Sequence, residues 1–173
     1  MKNLNLDFAL DKAEVFDKIR KSIQEMELRI TAEDQDRPWG GFFVLDESQI
    51  LLFKKYFFEE VELDEKQLKL KLSPKILVVG PAQRLSWQYH HRRAELWKLV
   101  YGKAEIARSA SDKQEGPVAM EMNQVISLEK GERHRLVGAN EWGVVAEIWM
   151  HTDPENPSNE EDIVRVSDDY ARK

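Results

Sequence analysis

Apolar residues recur at helical spacing near the start of the chain. One face of a helix would carry Phe16, Ile19, Ile23, Met26 and Ile30, which follow one another at intervals of 3, 4, 3 and 4. Asp11 and Glu14 stand where a capping box begins a helix. We therefore predict a helix over residues 11–30 that packs against the main body of the protein or against a second subunit.

Short β-like runs replace this pattern from about residue 42 to residue 150. Turn residues such as Gly80-Pro81 and Lys130-Gly131 separate the runs, and many short strands with turns between them predict a sandwich or a barrel. The predicted strands are Phe42–Leu45, Ile50–Phe58, Leu68–Leu72, Ile76–Val79, Leu85–His91, Glu95–Tyr101, Ala104–Ala107, Met120–Leu128, Arg135–Val137 and Val144–Met150. We divide the chain into a helical extension (1–36), a barrel (37–152) and a linker with a C-terminal segment (153–173) that packs on the barrel.

Composition narrows the classes of function. A net charge of −6, from 26 basic and 32 acidic residues, argues against nucleic acid as a partner. The chain has no cysteine, which excludes disulfides and thiolate metal sites. Its longest apolar runs, such as Ile76–Val79, are too short to span a bilayer, and its N-terminus does not resemble a signal peptide. We expect a cytoplasmic protein that binds a small molecule, with neither nucleic acid nor membrane as a partner.

Four polar residues form a candidate metal site. Side chains alternate across a strand, so Gln88 and His90 share one face, and the short connection after them brings Glu95 across. His134 follows a separate turn. Two imidazoles, one carboxylate and one amide oxygen suit a divalent ion such as Zn²⁺, Mn²⁺, Fe²⁺, Co²⁺ or Ni²⁺. Each histidine alone would more often be a surface or core residue, but together they favour a metal site.

The spacing of these residues resembles the cupin family. Its first motif, G-x5-H-x-H-x4-E-x6-G, matches Gln88, His90, Glu95 and Gly102 with glutamine in the first histidine position. The core of its second motif matches Gly131-Glu-Arg-His134. Three stretches, "RPWGGFFVLDE", "LSWQYHHRRAELW" and "EEDIVRVSDDYAR", resemble the type II mannose-6-phosphate isomerase cupin. The resemblance covers residues 37–170, apart from an extra β segment at 54–79.

This resemblance implies an all-β cupin jelly-roll barrel, here with an N-terminal helix. It also implies one divalent metal ion as cofactor, Zn²⁺ first, and the interconversion of mannose 6-phosphate and fructose 6-phosphate. In bifunctional members the cupin follows a guanylyltransferase domain. The glycine-rich nucleotide-binding start of that domain appears nowhere in these residues, so we expect no sugar-nucleotide synthesis from this chain.

The resemblance also suggests roles for further residues. Glu147 is either an inward-facing catalytic base or a rim carboxylate, and His91 ranks below it as a base because it faces away from Gln88 and His90. Arg93 is assigned to the catalytic group. Anion binding is assigned to Arg92, Arg93 and Arg165, and substrate binding to Arg92 and Arg165, with a solvated surface arginine as the alternative for each.

Arg92 stands where the type II family keeps a histidine. Strand alternation predicts that it shares the inward face with Gln88 and His90 and sets substrate choice at the mouth of the barrel. The reaction therefore stays open between three possibilities. They are a sugar-phosphate isomerase, a non-enzymatic cupin that binds a sugar or small metabolite, and a metal-dependent cupin enzyme of other chemistry, such as a dioxygenase or an epimerase.

We also expect a homodimer, because the segment "FKKYFFEEVELDEKQLKLKL" would present β edges that need covering.

Overall fold

The computed structural model describes residues 10–170, which form a barrel with helices on one side. In chain order the elements are α1 (Lys12–Glu25), β1 (Ile30–Asp34), β2 (Gly40–Leu45), a 3₁₀ turn (Glu47–Gln49), α2 (Ile50–Phe57), α3 (Glu65–Leu68), β3 (Lys75–Val79), β4 (Trp87–Tyr89), β5 (Arg93–Ser109), β6 (Val118–Ala119), β7 (Val125–Leu128), β8 (Arg133–His151) and β9 (Val164–Ser167). No helix in this described part of the chain is both long and apolar enough to cross a membrane.

Two long strands, β5 and β8, run through both halves of the barrel. They pair with each other in antiparallel fashion from Arg93↔His151 to Ser109↔Arg133. The C-terminal half of β8 also pairs with β3, which continues to β2 and β1, while the N-terminal half of β5 pairs with β7. The N-terminal half of β8 pairs with β4, which continues to β9, and the C-terminal half of β5 pairs with β6. Two antiparallel sheets that share a bent pair of strands enclose one interior, as in a jelly roll.

The pairing of the two long strands is irregular around Gly102. Gly102 has a φ of +70°, and a Cβ built on it would lie 1.9 Å from the carbonyl oxygen of Trp142. Only glycine fits this contact and this backbone region without strain. The register of the pair shifts at the same place, between Leu99 and Ala104.

The sheet around β3 is buried on both faces. Ile76, Val78 and Ile148 pack outward against apolar side chains of α1 and α2. Leu77 and Val145 pack inward with Trp97. Because side chains alternate along a strand, the same parity directs Lys75 on β3 and Glu147 on β8 into the barrel.

The structure confirms the all-β jelly-roll class with an N-terminal helix, and it shortens that helix. Asp11 caps α1, with both hydrogen bonds of the predicted capping box present. The helix ends at Glu25 rather than at residue 30, because Glu27 adopts a left-handed φ of 59° and the chain turns. Ile30 then begins β1, which places part of the predicted extension in the sheet.

The predicted strand Ile50–Phe58 is wrong, because these residues form α2. Its buried side chains, Ile50, Phe53 and Phe57, lie at intervals of three and four residues. An apolar run of this length fits a buried strand and a buried helix equally well from periodicity alone. Packing decides between them, since the helical form places these three side chains in the outer core beside α1.

The predicted strand Leu68–Leu72 is also wrong. Asp64 caps the short helix α3 through the backbone N–H of Gln67, and the chain beyond it has no strand partner. The Glu47 carboxylate instead accepts hydrogen bonds from the backbone N–H groups of Leu72 and Ser73. Of the supposed extra β segment at 54–79 only β3 is a strand, and residues 54–74 consist of the end of α2, the short helix α3 and irregular chain. The dimer argument that relied on β edges in residues 53–72 therefore fails. A homodimer stays a prediction that a mass measurement in solution would test.

The placement of α2 predicts that substitutions at two nearby positions, Phe53 and Leu51, change the free energy of unfolding by very different amounts. Phe53 is fully buried, whereas Leu51 on the same helix is 63% exposed. Phe53→Ala should lower the free energy of unfolding by about 3–5 kcal/mol through the lost contacts and the cavity left behind. Leu51→Ala should change it by less than about 0.5 kcal/mol. Denaturant titration of both variants checks this, and equal losses would contradict the helical assignment.

Candidate metal centre

Inward-facing side chains of three strands meet at one end of the barrel. Gln88 on β4 lies opposite His134 on β8, and Glu95 projects from the neighbouring β5. His90 lies just after β4. His90, Glu95 and His134 are all buried, and each offers one ligand atom within 4.8 Å of the others. These are three of the four residues that the sequence predicted for the metal site.

Backbone carbonyls set the orientation of both imidazoles. His90 Nδ1–H donates to the carbonyl oxygen of Asp162, and His134 Nδ1–H donates to that of Glu132 at 2.9 Å. In this tautomer each Nε2 carries a lone pair, and both lone pairs face Glu95. His90 Nε2 lies 3.1 Å from Glu95 Oε1, and His134 Nε2 lies 3.4 Å from Glu95 Oε2. Outer hydrogen bonds of this kind are typical of metal-binding histidines.

This donor set fits a divalent cation. His134 Nε2 and Glu95 Oε2 are buried and have no hydrogen-bond partner. Two facing acceptors without a partner are costly unless a proton or a cation lies between them. Burial alone would raise the pKa of Glu95, but His90 and His134, when protonated, and Arg93 hold that pKa well below its usual value, so the carboxylate is charged. Mixed nitrogen and oxygen ligands suit Zn²⁺ and other first-row divalent ions.

Gln88 lines the cavity beside this group. Its Oε1 accepts a hydrogen bond of 2.6 Å from the Ser86 hydroxyl, which holds the amide against the barrel wall. Gln88 as a fourth ligand therefore stays a prediction, while its position in the cavity agrees with the expected face.

Arg93 lies within the site. Its guanidinium donates to Glu95 Oε1 at 2.8 Å and to His90 Nε2 at 3.3 Å, and it lies over the Trp149 ring at 4.0 Å. Because it begins β5 two residues before Glu95, it shares that residue's inward face. Arg93 thus balances the charge of Glu95 and competes with a metal ion for the His90 lone pair.

The position of the Arg92 side chain differs from the sequence prediction. Its guanidinium donates to Asn156, to Asn159 and to the carbonyl oxygen of Pro157, all outside the cavity. The expected position beside Gln88 at the mouth is therefore wrong. The chain bends at residues 91 and 92, so strand alternation cannot be continued from β4 into β5 across this turn.

Glu147 faces the interior from β8, as one of the two alternatives predicted. Its Oε1 accepts a hydrogen bond of 3.0 Å from the Trp97 indole, and its carboxyl lines the same cavity as Glu95 and Gln88. Burial first, and then the charge of Glu95, raise the pKa of Glu147 to about 7, although Lys75, Arg93 and the Trp97 hydrogen bond oppose the shift. This value suits a group that exchanges a proton near neutral pH.

The cavity has a volume of about 170 Å³ and opens beside the segment that follows β8. Arg165 on β9 lines it, as expected for a substrate-binding residue. His91 is exposed and stacks edge-on against Tyr89 at 5.1 Å, which agrees with the face predicted for it.

Asp162 is a residue of this site that sequence reasoning missed. Its carboxylate accepts hydrogen bonds from the backbone N–H groups of His91 and Arg92 and from the Ser158 hydroxyl. Its carbonyl oxygen orients His90. The stretch "EEDIVR" pointed to this region, but only its arginine was assigned a role, because nothing in the sequence shows that the stretch folds back onto the turn.

These contacts predict that Asp162→Ala weakens metal binding without removing a ligand. The backbone N–H groups of residues 91 and 92 would lose their carboxylate acceptor. The Asp162 carbonyl that orients His90 is kept, but it would no longer be held in place by these contacts. Loss of such outer partners typically costs about 10–100-fold in metal affinity. Glu161→Ala, at the exposed neighbouring position, is the matched control. Competitive chelator titration measures both, and equal affinities for the two variants would contradict this role of Asp162.

Comparisons with known proteins agree on the family. The model of the family "Mannose-6-phosphate isomerase C-terminal" matches residues 62–168. The match includes residues 62–79, which we had expected to be an insertion. The xanthan biosynthesis protein XanB of Xanthomonas campestris pv. campestris is 29% identical over 136 residues, which cover 79% of this chain and 23% of the relative. A mannose-1-phosphate guanylyltransferase of Salmonella montevideo is 27% identical over 168 residues, covering 97% and 29%.

The chain therefore spans only about a quarter of the length of these curated relatives. Among solved structures, procruciferin, an 11S globulin from Brassica napus, superposes with a TM-score of 0.51 at 12% identity. That superposition covers 78% of this chain and 29% of procruciferin. At this identity the likeness concerns the fold alone.

Proposed function

The chain belongs to the family of the mannose-6-phosphate isomerase C-terminal domain, and from this premise we propose that it is a metal-dependent aldose–ketose isomerase of sugar phosphates. Mannose 6-phosphate and fructose 6-phosphate are the first substrates to test. In this proposal Gln88, His90, Glu95 and His134 hold one divalent ion, with Zn²⁺ as the first candidate.

One observation carries the proposal. A buried group of metal-ligand type reaches the cavity through Glu95, and a buried carboxyl with a pKa near neutrality, that of Glu147, lines the same cavity. Aldose–ketose isomerisation removes a proton from the carbon next to a carbonyl and returns it to the neighbouring carbon. A divalent ion supplies polarisation of the substrate oxygens.

Glu147 is the proposed proton carrier. Its ionised carboxylate takes the proton from the carbon next to the carbonyl, and an enediolate forms. The protonated carboxyl returns the proton to the former carbonyl carbon, while the hydroxyl proton passes to the former carbonyl oxygen. The Trp97 indole donates to Oε1 and so holds the carboxyl in place. In this proposal Oε2 carries the proton. Arg93 acts beside it by holding Glu95 in its charged form, and Arg165 binds polar groups of the substrate.

A panel of substrates tests this function. Purified protein loaded with Zn²⁺, Mn²⁺, Co²⁺ or Ni²⁺ is incubated with hexose and pentose phosphates and with the same sugars lacking phosphate. Proton exchange with D₂O and product formation are followed by NMR. We expect exchange at the carbon next to the carbonyl for at least one phosphorylated sugar. Absence of exchange with every sugar and metal would refute the isomerase.

One contact favours a second candidate, a metal-free cupin that binds a sugar. Arg93 already donates to His90 Nε2 and Glu95 Oε1, two of the atoms that a metal would need. Metal analysis of the purified protein separates the two. About one ion per chain supports the enzyme, whereas no ion together with sugar binding supports the binding protein. Stoichiometric metal without proton exchange would instead favour a cupin enzyme of another chemistry.

A further inference from the structure

A buried lysine lies at the edge of the cavity. Lys75, at the start of β3, lies opposite Glu147 in the β3–β8 register, and its side chain is only 11% exposed. The amine lies over the Trp149 ring at 4.5 Å and lines the cavity together with Glu147 and Arg93. Lys75 has no role in the catalysis or metal binding proposed above.

The partner of this lysine comes from outside the barrel. Both carboxylate oxygens of Glu160 lie near Lys75 Nζ, at 3.3 and 3.4 Å. Glu160 belongs to the outer segment, which we define as residues 152–163, and its side chain is 61% exposed. Its carboxylate also lies 3.8 Å from the exposed Lys71. A long, solvent-exposed contact of this kind is weak and is easily exchanged for another anion.

The other well-partnered cations of the cavity are committed to the fold. Arg93 is bound to Glu95, to Ser158 and to backbone carbonyls. Arg37 pairs with Asp34 at 2.7 Å. Lys75 differs from these two because, among residues 10–170, its only charged contact within hydrogen-bond distance is the Glu160 side chain. This side chain can rotate into solvent while the outer segment stays in place.

The outer segment itself is firmly held. Asp162 anchors it to the turn at residues 91 and 92, and Arg92 donates to Asn156 and Pro157. Ser158 N–H donates to His151 Nδ1. Exchange at Lys75 therefore needs only a rotation of the Glu160 side chain, without an opening of the segment.

From these contacts we infer that Lys75 is the anion-binding residue of the cavity and that Glu160 occupies this subsite in the free protein. The subsite takes the phosphate monoester of a sugar, which displaces the Glu160 carboxylate from the amine. A lysine ammonium is a compact charge that binds phosphate without a fixed geometry. The inference rests on the proposed function, because it names the residue that recognises the phosphorylated end of that substrate.

The contact between Glu160 and Lys75 also affects which sugars bind. A neutral sugar cannot replace the carboxylate at Lys75, so it gains nothing from the subsite. An anionic sugar replaces one charge-assisted contact by another inside a more enclosed space, where such contacts are stronger. The pair therefore discriminates in favour of phosphorylated substrates.

Binding measurements test the inference independently of turnover. Fructose 6-phosphate, fructose and inorganic phosphate are titrated calorimetrically into wild-type protein and three variants, all with the same metal content. Lys75→Gln should weaken fructose 6-phosphate binding by about tenfold or more, since it removes a charged hydrogen-bond donor. Lys71→Gln is the matched control, because it removes the other lysine near Glu160 at an exposed position outside the cavity lining, and it should change affinity by less than about twofold. Glu160→Gln should strengthen binding about two- to fivefold.

The outcomes distinguish a failure of the Lys75 subsite from a failure of the proposed reaction. Equal effects of Lys75→Gln and Lys71→Gln, weaker binding in Glu160→Gln, or no binding of either phosphate compound to the wild type would each overturn the subsite. Glu160 is exposed, so its variant keeps the test valid even if Lys75→Gln folds poorly. Fructose 6-phosphate that binds in the expected pattern but is never isomerised would support the subsite and refute the proposed reaction.

Discussion

Protein carrying His90→Ala is expected to contain no bound divalent ion after purification and dialysis. The substitution removes one of three grouped candidate ligands and leaves Glu95 facing His134 and Arg93. Because loss of an outer partner already costs about 10–100-fold in metal affinity, loss of a direct ligand should cost more than about 100-fold. Metal content is measured by elemental analysis and expressed per chain.

The neighbouring histidine provides the control. His91→Ala alters an exposed side chain one residue away and should leave the metal content unchanged. His134→Ala should behave like His90→Ala, because both Nε2 atoms face the same carboxylate. Circular dichroism should report the same β content in all variants. A His90→Ala protein that is folded and retains its metal would exclude this site.

Glu147→Gln is expected to abolish isomerisation while preserving metal binding. Glutamine keeps the shape of the side chain and the acceptor for the Trp97 indole, but it cannot carry a proton. Loss of a general acid–base group typically lowers kcat by about 10²–10⁴-fold. Single-turnover NMR with the preferred sugar measures the rate, and elemental analysis measures the metal. Unchanged kcat in this variant would remove Glu147 from the mechanism.

The same substitution should change how stability depends on pH in the metal-free protein. The folded state raises the pKa of Glu147 from 4.5 to about 7, so it binds this proton more tightly than the unfolded chain does. The resulting stability is fully present below pH 4.5 and is lost as the pH rises through about 7. Glu147→Gln should remove this decline, and at pH 8 its free energy of unfolding should exceed that of the wild type by about 3 kcal/mol. Parallel pH profiles for the two proteins, measured by urea denaturation, would contradict the shifted pKa.

Local patterns in the sequence predicted part of the candidate metal site. Alternation within one strand placed Gln88 and His90 on one face, and the short connection after them brought Glu95 across, because these relations depend only on short stretches of chain. The capping box of α1 was predicted for the same reason. His134, which lies on a separate strand, and the jelly-roll class were expected from the resemblance to the cupin motifs. Glu147 was assigned an inward position as one of two alternatives, and its register against Lys75 agrees with it.

Other features depended on which distant segments pack together. The apolar pattern of residues 50–57 fits a strand and a helix equally well. Packing in the outer core beside α1 favours the helix. Arg92 turned outward because a two-residue bend interrupts the alternation, and the outer segment then supplied its partners. Asp162 and Glu160 lie about 70 to 90 residues from the side chains that they contact. No periodicity extends over such a separation, so the orientation of His90 and the state of Lys75 were decided by the tertiary structure.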